Sequence, residues 1–237
     1  MIKARHSKWA DKIFHAYITY LLKQHFNGLH YFGEPPVFKQ DIPVILMPNH
    51  SSWWDGFFVY ILNKIQFNRE IYLMMLKKEL ASNPFFSRVG AYSIKQDSIS
   101  GVKESLDYTR SIILNKSSSL ICIFPQGELL PWGKTPPGFK RGAEVIFRNV
   151  SRPVYLCLLA IKIEFLNEQR PDVYFMFDHY LLSKTNMLNM KEYENKMANL
   201  LDKLNRAIID QEKATLFFRG KESINRYFER LRTKKRG

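Results

Sequence analysis

Pro48-Asn49-His50-Ser51-Ser52-Trp53-Trp54-Asp55-Gly56 sets an imidazole and a carboxylate five residues apart, just after an apolar run at 43–47. A neutral imidazole takes a proton from a hydroxyl at ordinary pH, and a carboxylate beside it fixes the tautomer and stabilises the imidazolium that forms. His50 and Asp55 are therefore a candidate base and its orienting acid. The same residues also read as helix-start chemistry: Ser52-x-x-Asp55 is a capping box, with Asn49 and His50 satisfying turn amides. A second candidate is Phe124-Pro125-Gln126-Gly127-Glu128. There proline fixes the exit from an apolar run and glycine permits close backbone approach, so amides can point at a developing oxyanion. An ordinary strand exit is the plainer account of that turn. Downstream, Gly138-Phe139-Lys140-Arg141-Gly142-Ala143 puts two cations at a glycine-flanked helix start, where a phosphate can bind.

The elements that must position these groups follow from periodicity. Residues 43–47 read as a short buried strand, and the run from Asp55, with Phe57, Phe58, Tyr60, Ile61 and Leu62, as the opening of an apolar helix. His50 thus sits in a strand-to-helix turn, at the carboxyl end of a strand, where open α/β sheets build their sites. Further strands read at 70–75, 90–94, 120–124, 153–163 and 173–177, and helices at 9–22, 77–80, 98–115, 139–149 and 191–211. Residues 28–41 read as a loop around a short extended piece. This alternation predicts an α/β fold in a single domain, with a largely parallel twisted sheet flanked by helices and an amphipathic N-terminal helix. A chain of 237 residues, 46% of them hydrophobic, is long enough to bury one such core.

The formal net charge of +14 calls for a polyanionic partner: nucleic acid, an anionic membrane or a phosphorylated ligand. From Trp9, apolar residues recur at Ile13, Phe14, Tyr17, Ile18, Leu21 and Leu22 opposite a mostly basic face. The tail repeats the theme, with Ile224, Tyr227, Phe228 and Leu231 among many arginines and lysines. Basic amphipathic helices bearing aromatics suit an anionic lipid interface; packing of each stripe on the body of the domain is the alternative. No nucleic-acid-binding module is recognisable, so nucleic acid is not expected. No stretch is apolar for long enough to span a bilayer, and the start has no secretory signal pattern. Cys122 and Cys157 lie inside apolar runs and read as buried thiols in a reduced compartment. The six histidines show no ligand spacing, so no metal is expected.

Taken in order, Asn-His-x4-Asp-Gly at 49–56, Phe-Pro-x-Gly at 124–127 and Phe-Lys-x-Gly-Ala at 139–143 resemble the glycerolipid acyltransferase superfamily, which contains the lysophosphatidic acid acyltransferases. The resemblance runs from about Leu46 to Ile163. It implies acyl transfer from an acyl-CoA or acyl-carrier-protein thioester to a hydroxyl of a lysolipid or glycolipid acceptor, with no covalent acyl-enzyme and no further cofactor. In that scheme His50 takes the acceptor proton, Asp55 holds the imidazole, and Gly127 with its neighbours supports the tetrahedral intermediate. Asn49, Ser51, Lys95, Pro125, Gln126, Glu128, Lys140 and Arg141 are the expected substrate-binding residues. The chain then divides into a membrane-associating helix at 1–27, an acyltransferase domain at 28–212 and a basic C-terminal helix or tail at 213–237. The expected location is the cytoplasmic face of a membrane, held peripherally to its anionic surface.

Departures from the family pattern bear on the acceptor. Where phosphate-using members carry an acid and an arginine, this chain has Lys95 and Gln96, and the third block reads Gln126-Gly127-Glu128-Leu129 rather than Glu-Gly-Thr-Arg. Glutamine cannot replace a bidentate arginine on a phosphate. Lys95, Arg88, Lys140 or Arg141 can supply the charge; otherwise a neutral glycolipid, a lyso-ornithine lipid or a carotenoid glycoside is the acceptor. Two other functions fit the same residues: a catalytically inactive basic membrane-surface protein, and an acyl thioesterase in which water replaces the acceptor.

Overall fold

Val44, Ile45, Leu46 and Met47 are apolar without interruption, and a strand of that kind is stable only when both of its faces are covered. They form the central strand of an eight-stranded sheet. The computed structural model describes residues 1–148, 150–183 and 188–221. The strands are β1 (Gly28–Tyr31), β2 (Val44–Pro48), β3 (Glu70–Leu76), β4 (Ala91–Ile94), β5 (Ser119–Cys122), β6 (Val154–Glu164), β7 (Asp172–Leu182) and β8 (Thr215–Arg219). Their spatial order is β4-β3-β5-β2-β6-β7-β1-β8. Neighbours are parallel except β6 with β7 and β1 with β8. The helices are α1 (Lys8–His25), α2 (Asp55–Leu62), α3 (Lys77–Ser82), α4 (Ile99–Asn115), α5 (Gly142–Phe147) and α6 (Met190–Ile209).

The period of two along the strands splits the core into two layers. Ile45, Met47, Ile121, Leu156 and Leu158 point to one face, where α4, α5 and α6 contribute Ile113, Ile146 and Leu204. Val44, Leu46, Leu120, Cys157 and Leu159 point to the other, beneath α1 and α2. Phe14 of α1 meets Tyr60 of α2 edge-on at 4.7 Å, and its ring also lies within 6.2 Å of Phe57, Phe85 and Phe86. Lys64 pairs with Asp11 at 2.6 Å, and the Tyr60 hydroxyl donates to Asp11 Oδ1 at 2.8 Å, so α1 is held to the domain by polar contacts as well as by packing.

Several elements differ from expectation for local reasons. The amphipathic stripe of α1 divides: Phe14, Ile18 and Leu22 are buried, whereas Trp9, Ile13, Tyr17 and Tyr20 are each more than half exposed. The extended piece expected inside 28–41 is a full sheet member, β1, paired in parallel with β7. Strand β7 has eleven residues because β6 pairs with it along its whole length, from Val154–Leu182 to Glu164–Asp172. The helix expected from 139 starts at Gly142, because the Lys140 N–H is bonded to the Pro125 carbonyl and the Gly138 and Phe139 amides are bonded to Glu194. Thr215–Arg219, placed by the sequence in a basic helix or tail, is an edge strand antiparallel to β1. The amphipathic tail read at 224–231 lies outside the described residues. Among the described residues no helix is long and apolar enough to cross a membrane.

Candidate active site

β2 and β5 are parallel neighbours, so the turns that leave their carboxyl ends stand side by side. The turn after β2 carries His50, and the turn after β5 carries 124–128. Asp55 opens α2 and is fully buried. Its Oδ2 accepts three hydrogen bonds: His50 Nδ1–H at 2.9 Å, Ser51 N–H at 2.8 Å and Ser52 N–H at 2.9 Å. One oxygen therefore serves both the imidazole and the turn amides, but the capping box does not form: Trp54 stands at the N-cap of α2 with no side-chain cap, and Ser52 Oγ accepts the Trp54 N–H at 2.9 Å instead. A carboxylate facing Nδ1 puts the ring proton there and leaves the Nε2 lone pair free. Nε2 has no hydrogen-bond partner among the described residues. The imidazole lies flat on the Phe124 ring, with centroids 4.0 Å apart and planes 23° from parallel, which fixes its second rotational freedom.

The two turns are tied through the backbone. Gln126 is buried, and its side-chain carbonyl accepts the His50 N–H. The His50 carbonyl accepts the Leu130 N–H at 3.0 Å. Gln126 thus positions the His50 backbone rather than lying open to solvent. Asn49 and Ser51, read from sequence as substrate-binding, are also structural. Asn49 exchanges two hydrogen bonds with the Ile161 backbone of β6, at 2.7 and 3.1 Å, and its amide donates to Ser51 Oγ at 3.3 Å. These contacts occupy both amide protons of Asn49 and one acceptor position of its side-chain carbonyl, and they tie the His50 turn to β6.

Gly127 has φ +69°, a backbone region that favours glycine. Its N–H donates to the Phe124 carbonyl at 3.0 Å, so this amide is not free for an oxyanion; it closes the turn over Pro125 and Gln126. What glycine supplies instead is room. An added Cβ would stand 3.0 Å from Lys140 Nζ and 3.1 Å from Gln96 Nε2. Gln96 donates to the Gly127 carbonyl at 3.1 Å, a contact the sequence did not reveal because the two residues are 31 apart and glutamine at that position read only as a lost arginine. The Lys140 ammonium beside this loop pairs with no acid among the described residues.

The remaining candidates are less central. Pro125 accepts the Lys140 N–H at 2.8 Å, which brings the lysine back to the turn. Glu128 is exposed beyond Gly127. Lys95 is exposed after β4, with its stem against Gly101 of α4. Arg141 is exposed and pairs with Glu144 at 3.4 Å.

A residue absent from the sequence reading holds the Lys140 loop in place. Glu194 of α6 is buried and accepts the Gly138 and Phe139 N–H groups at 2.7 and 3.1 Å, and Lys191 approaches it at 2.8 Å. Burial alone would raise its pKa, but the hydrogen bonds from Lys191, Phe139 and Gly138 win and hold the carboxyl below the usual glutamate range. Burial, with the Asp55 charge adding to it, pushes the Cys122 thiol well above its ordinary value, and burial does the same to Cys157. Neither is a nucleophile in this state. Among the described residues no group of three or more His, Cys, Asp or Glu side chains is placed to hold a metal ion.

A family model described as Acyltransferase matches residues 26–160, more than half of the chain and a span that includes both turns. No curated protein matches the chain by sequence. Among solved structures the chain is similar to the 1-acyl-sn-glycerophosphate (LPA) acyltransferase, PlsC, from Thermotoga maritima, with a TM-score of 0.53 and 13% sequence identity over 84% of this chain and 78% of that one. That likeness shows a shared fold. The matched span contains the ordered blocks and their paired turns, and the chain belongs to the Acyltransferase family.

Proposed function

We propose that the chain is a peripheral membrane acyltransferase that moves a fatty acyl group from acyl-CoA or acyl carrier protein to a hydroxyl of a lysolipid-like acceptor, with His50 as general base. The observation that carries this reading is the 2.9 Å contact between His50 Nδ1 and an Asp55 oxygen that two further amides also hold. The acceptor hydroxyl gives its proton to Nε2 as its oxygen attacks the thioester carbonyl. The tetrahedral intermediate then expels the thiolate, which takes the proton back from the imidazolium. Lys140, beside the Gly127 loop, fits stabilisation of the oxyanion or an anionic acceptor head group. Its position supports a lysolipid over a neutral glycolipid, because it supplies a cation that Gln96 does not.

The acyl tail has an apolar route in this reading. The Trp53 and Phe57 rings are 4.7 Å apart, and Phe57 leads to Phe86 at 6.4 Å, which lines a cavity of about 420 Å³ between α1 and the segment Pro84–Val89. Membrane attachment is supported by the outward row of α1, where Trp9, Ile13, Tyr17 and Tyr20 are interspersed with exposed Lys8, Lys12 and Lys23.

Mass spectrometry of total lipids from cells lacking the gene, complemented by wild type or by His50→Ala, tests the reading. One lipid class short of an acyl chain, restored by wild type alone, is the expected outcome. Unchanged lipids in all strains would favour the inactive membrane-surface protein.

A further inference from the structure

Strands β6 and β7 continue past the catalytic edge as a hairpin. Asn49 is bonded to Ile161, and Phe165 lies four residues further along. At about 3.3 Å per residue, Phe165 stands about 13 Å beyond the level of Asn49 along the strand. Phe165 is 67% and Leu166 55% exposed, and neither belongs to a core layer. Trp53, which leaves the catalytic turn on the same edge, is 65% exposed.

The far limb of the hairpin is joined to α1: Arg170 Nη1 donates to the Lys23 and Gln24 carbonyls at 3.2 and 3.3 Å. Beside that junction lies a cavity of about 410 Å³ lined by Tyr20, Lys23, Gln24, Arg219, Gly220 and Lys221. None of its three cations takes part in an ion pair among the described residues. An apolar tip, a cationic hollow and the exposed row of α1 thus follow one another along one continuous border of the fold.

We propose that this border docks on an anionic bilayer, with Phe165 and Leu166 entering the boundary between head groups and acyl chains while the cavity of Lys23, Arg219 and Lys221 takes a lipid phosphate. The inference rests on the membrane-bound reading above and adds to it a second insertion point outside α1. Interfacial apolar groups settle about 5–10 Å deep. A tip that reaches about 13 Å past the catalytic turn leaves His50 a few ångströms outside the hydrocarbon, at the level of the polar head of a lysolipid. The hairpin would then set the depth at which the base meets the acceptor hydroxyl. The charge fits an anionic surface, since the chain carries +14 overall.

The test uses the full chain with a single environment-sensitive fluorophore at Phe165→Cys, and in a second sample at Tyr17→Cys on α1. Cys122 and Cys157 are buried, so the label goes to the new thiol. On vesicles of equal parts phosphatidylcholine and phosphatidylglycerol, both labels are expected to shift to the blue. The shifts should weaken on pure phosphatidylcholine and in the Lys23→Gln/Lys221→Gln background. Phe165→Ser/Leu166→Ser should bind the mixed vesicles at least about tenfold more weakly, because two apolar side chains are no longer removed from water, while its thermal midpoint stays unchanged. A shift at 17 without one at 165 overturns the hairpin proposal and leaves the membrane reading standing. No shift at either position overturns both. A shift at 165 that grows with protein concentration in the absence of vesicles assigns the tip to a second copy of the chain and overturns the lipid assignment.

Discussion

Asp55 Oδ2 serves three donors at once, so loss of the His50 contact and loss of the turn are coupled at one atom. Its other oxygen, Oδ1, is buried and has no hydrogen-bond partner among the described residues. Gln126 completes the support from the opposite turn by accepting the His50 N–H. Gln126→Ala leaves that amide without its acceptor and lets the imidazole shift; if His50 is the base proposed above, this should lower kcat by about ten- to a hundredfold with little change in KM. Gln126→Glu keeps an acceptor oxygen at the same reach and should recover most of the rate. Steady-state kinetics on the two variants separates this positioning role from direct substrate contact, which would move KM instead. The His50–Asp55 pair was legible in the sequence because its partners are five residues apart on a strand-to-helix turn. The Gln126–His50 contact spans 76 residues and depends on β2 and β5 being neighbours, an ordering that periodicity does not carry.

At the scale of elements, the loop that brings Lys140 to the site hangs from α6 through Glu194. The folded-state pKa of Glu194 is depressed below the ordinary 4.5, so its contribution to stability is present above that value and is lost as pH falls through the depressed folded value. Thermal midpoints of wild type and Glu194→Gln should therefore differ near neutral pH and converge once the solution is acid enough to protonate the native carboxyl. A gap that stays constant down to that pH would contradict the account. Strong local patterns were readable: the uninterrupted apolar run of β2, the stripe of α6 and the helical spacing of α1 all form as elements. The β8 edge strand was not, since only Phe218 of its five residues is buried and its identity comes from pairing with β1. The same holds for the shortened α5, whose start is set by bonds to Pro125 and to Glu194 rather than by its own residues. The α1 stripe was visible as amphipathic, but its division into a row packed on the sheet and a row facing outward needed the neighbouring Phe57, Phe85 and Phe86 rings.

For the molecule as a whole, one edge of one sheet gathers His50, the glycine turn and Lys140, and the α1–hairpin border lies alongside. The mostly parallel order makes this possible, because strands that share a direction end on the same side and deliver their loops together. Membership of the Acyltransferase family agrees with that arrangement, and the thioester and hydroxyl chemistry proposed for it requires one product for each bond broken. The most direct measurement follows both products at once. Purified protein is mixed with an acyl-CoA or acyl carrier protein thioester and vesicles containing a lysolipid, and free thiol and acylated lipid are quantified together for wild type and His50→Ala. The account predicts one acylated lipid for every thiol released by wild type, and a rate lower by at least about a hundredfold in His50→Ala at an unchanged melting temperature. Thiol release without acylated lipid, or full activity in His50→Ala, would contradict it.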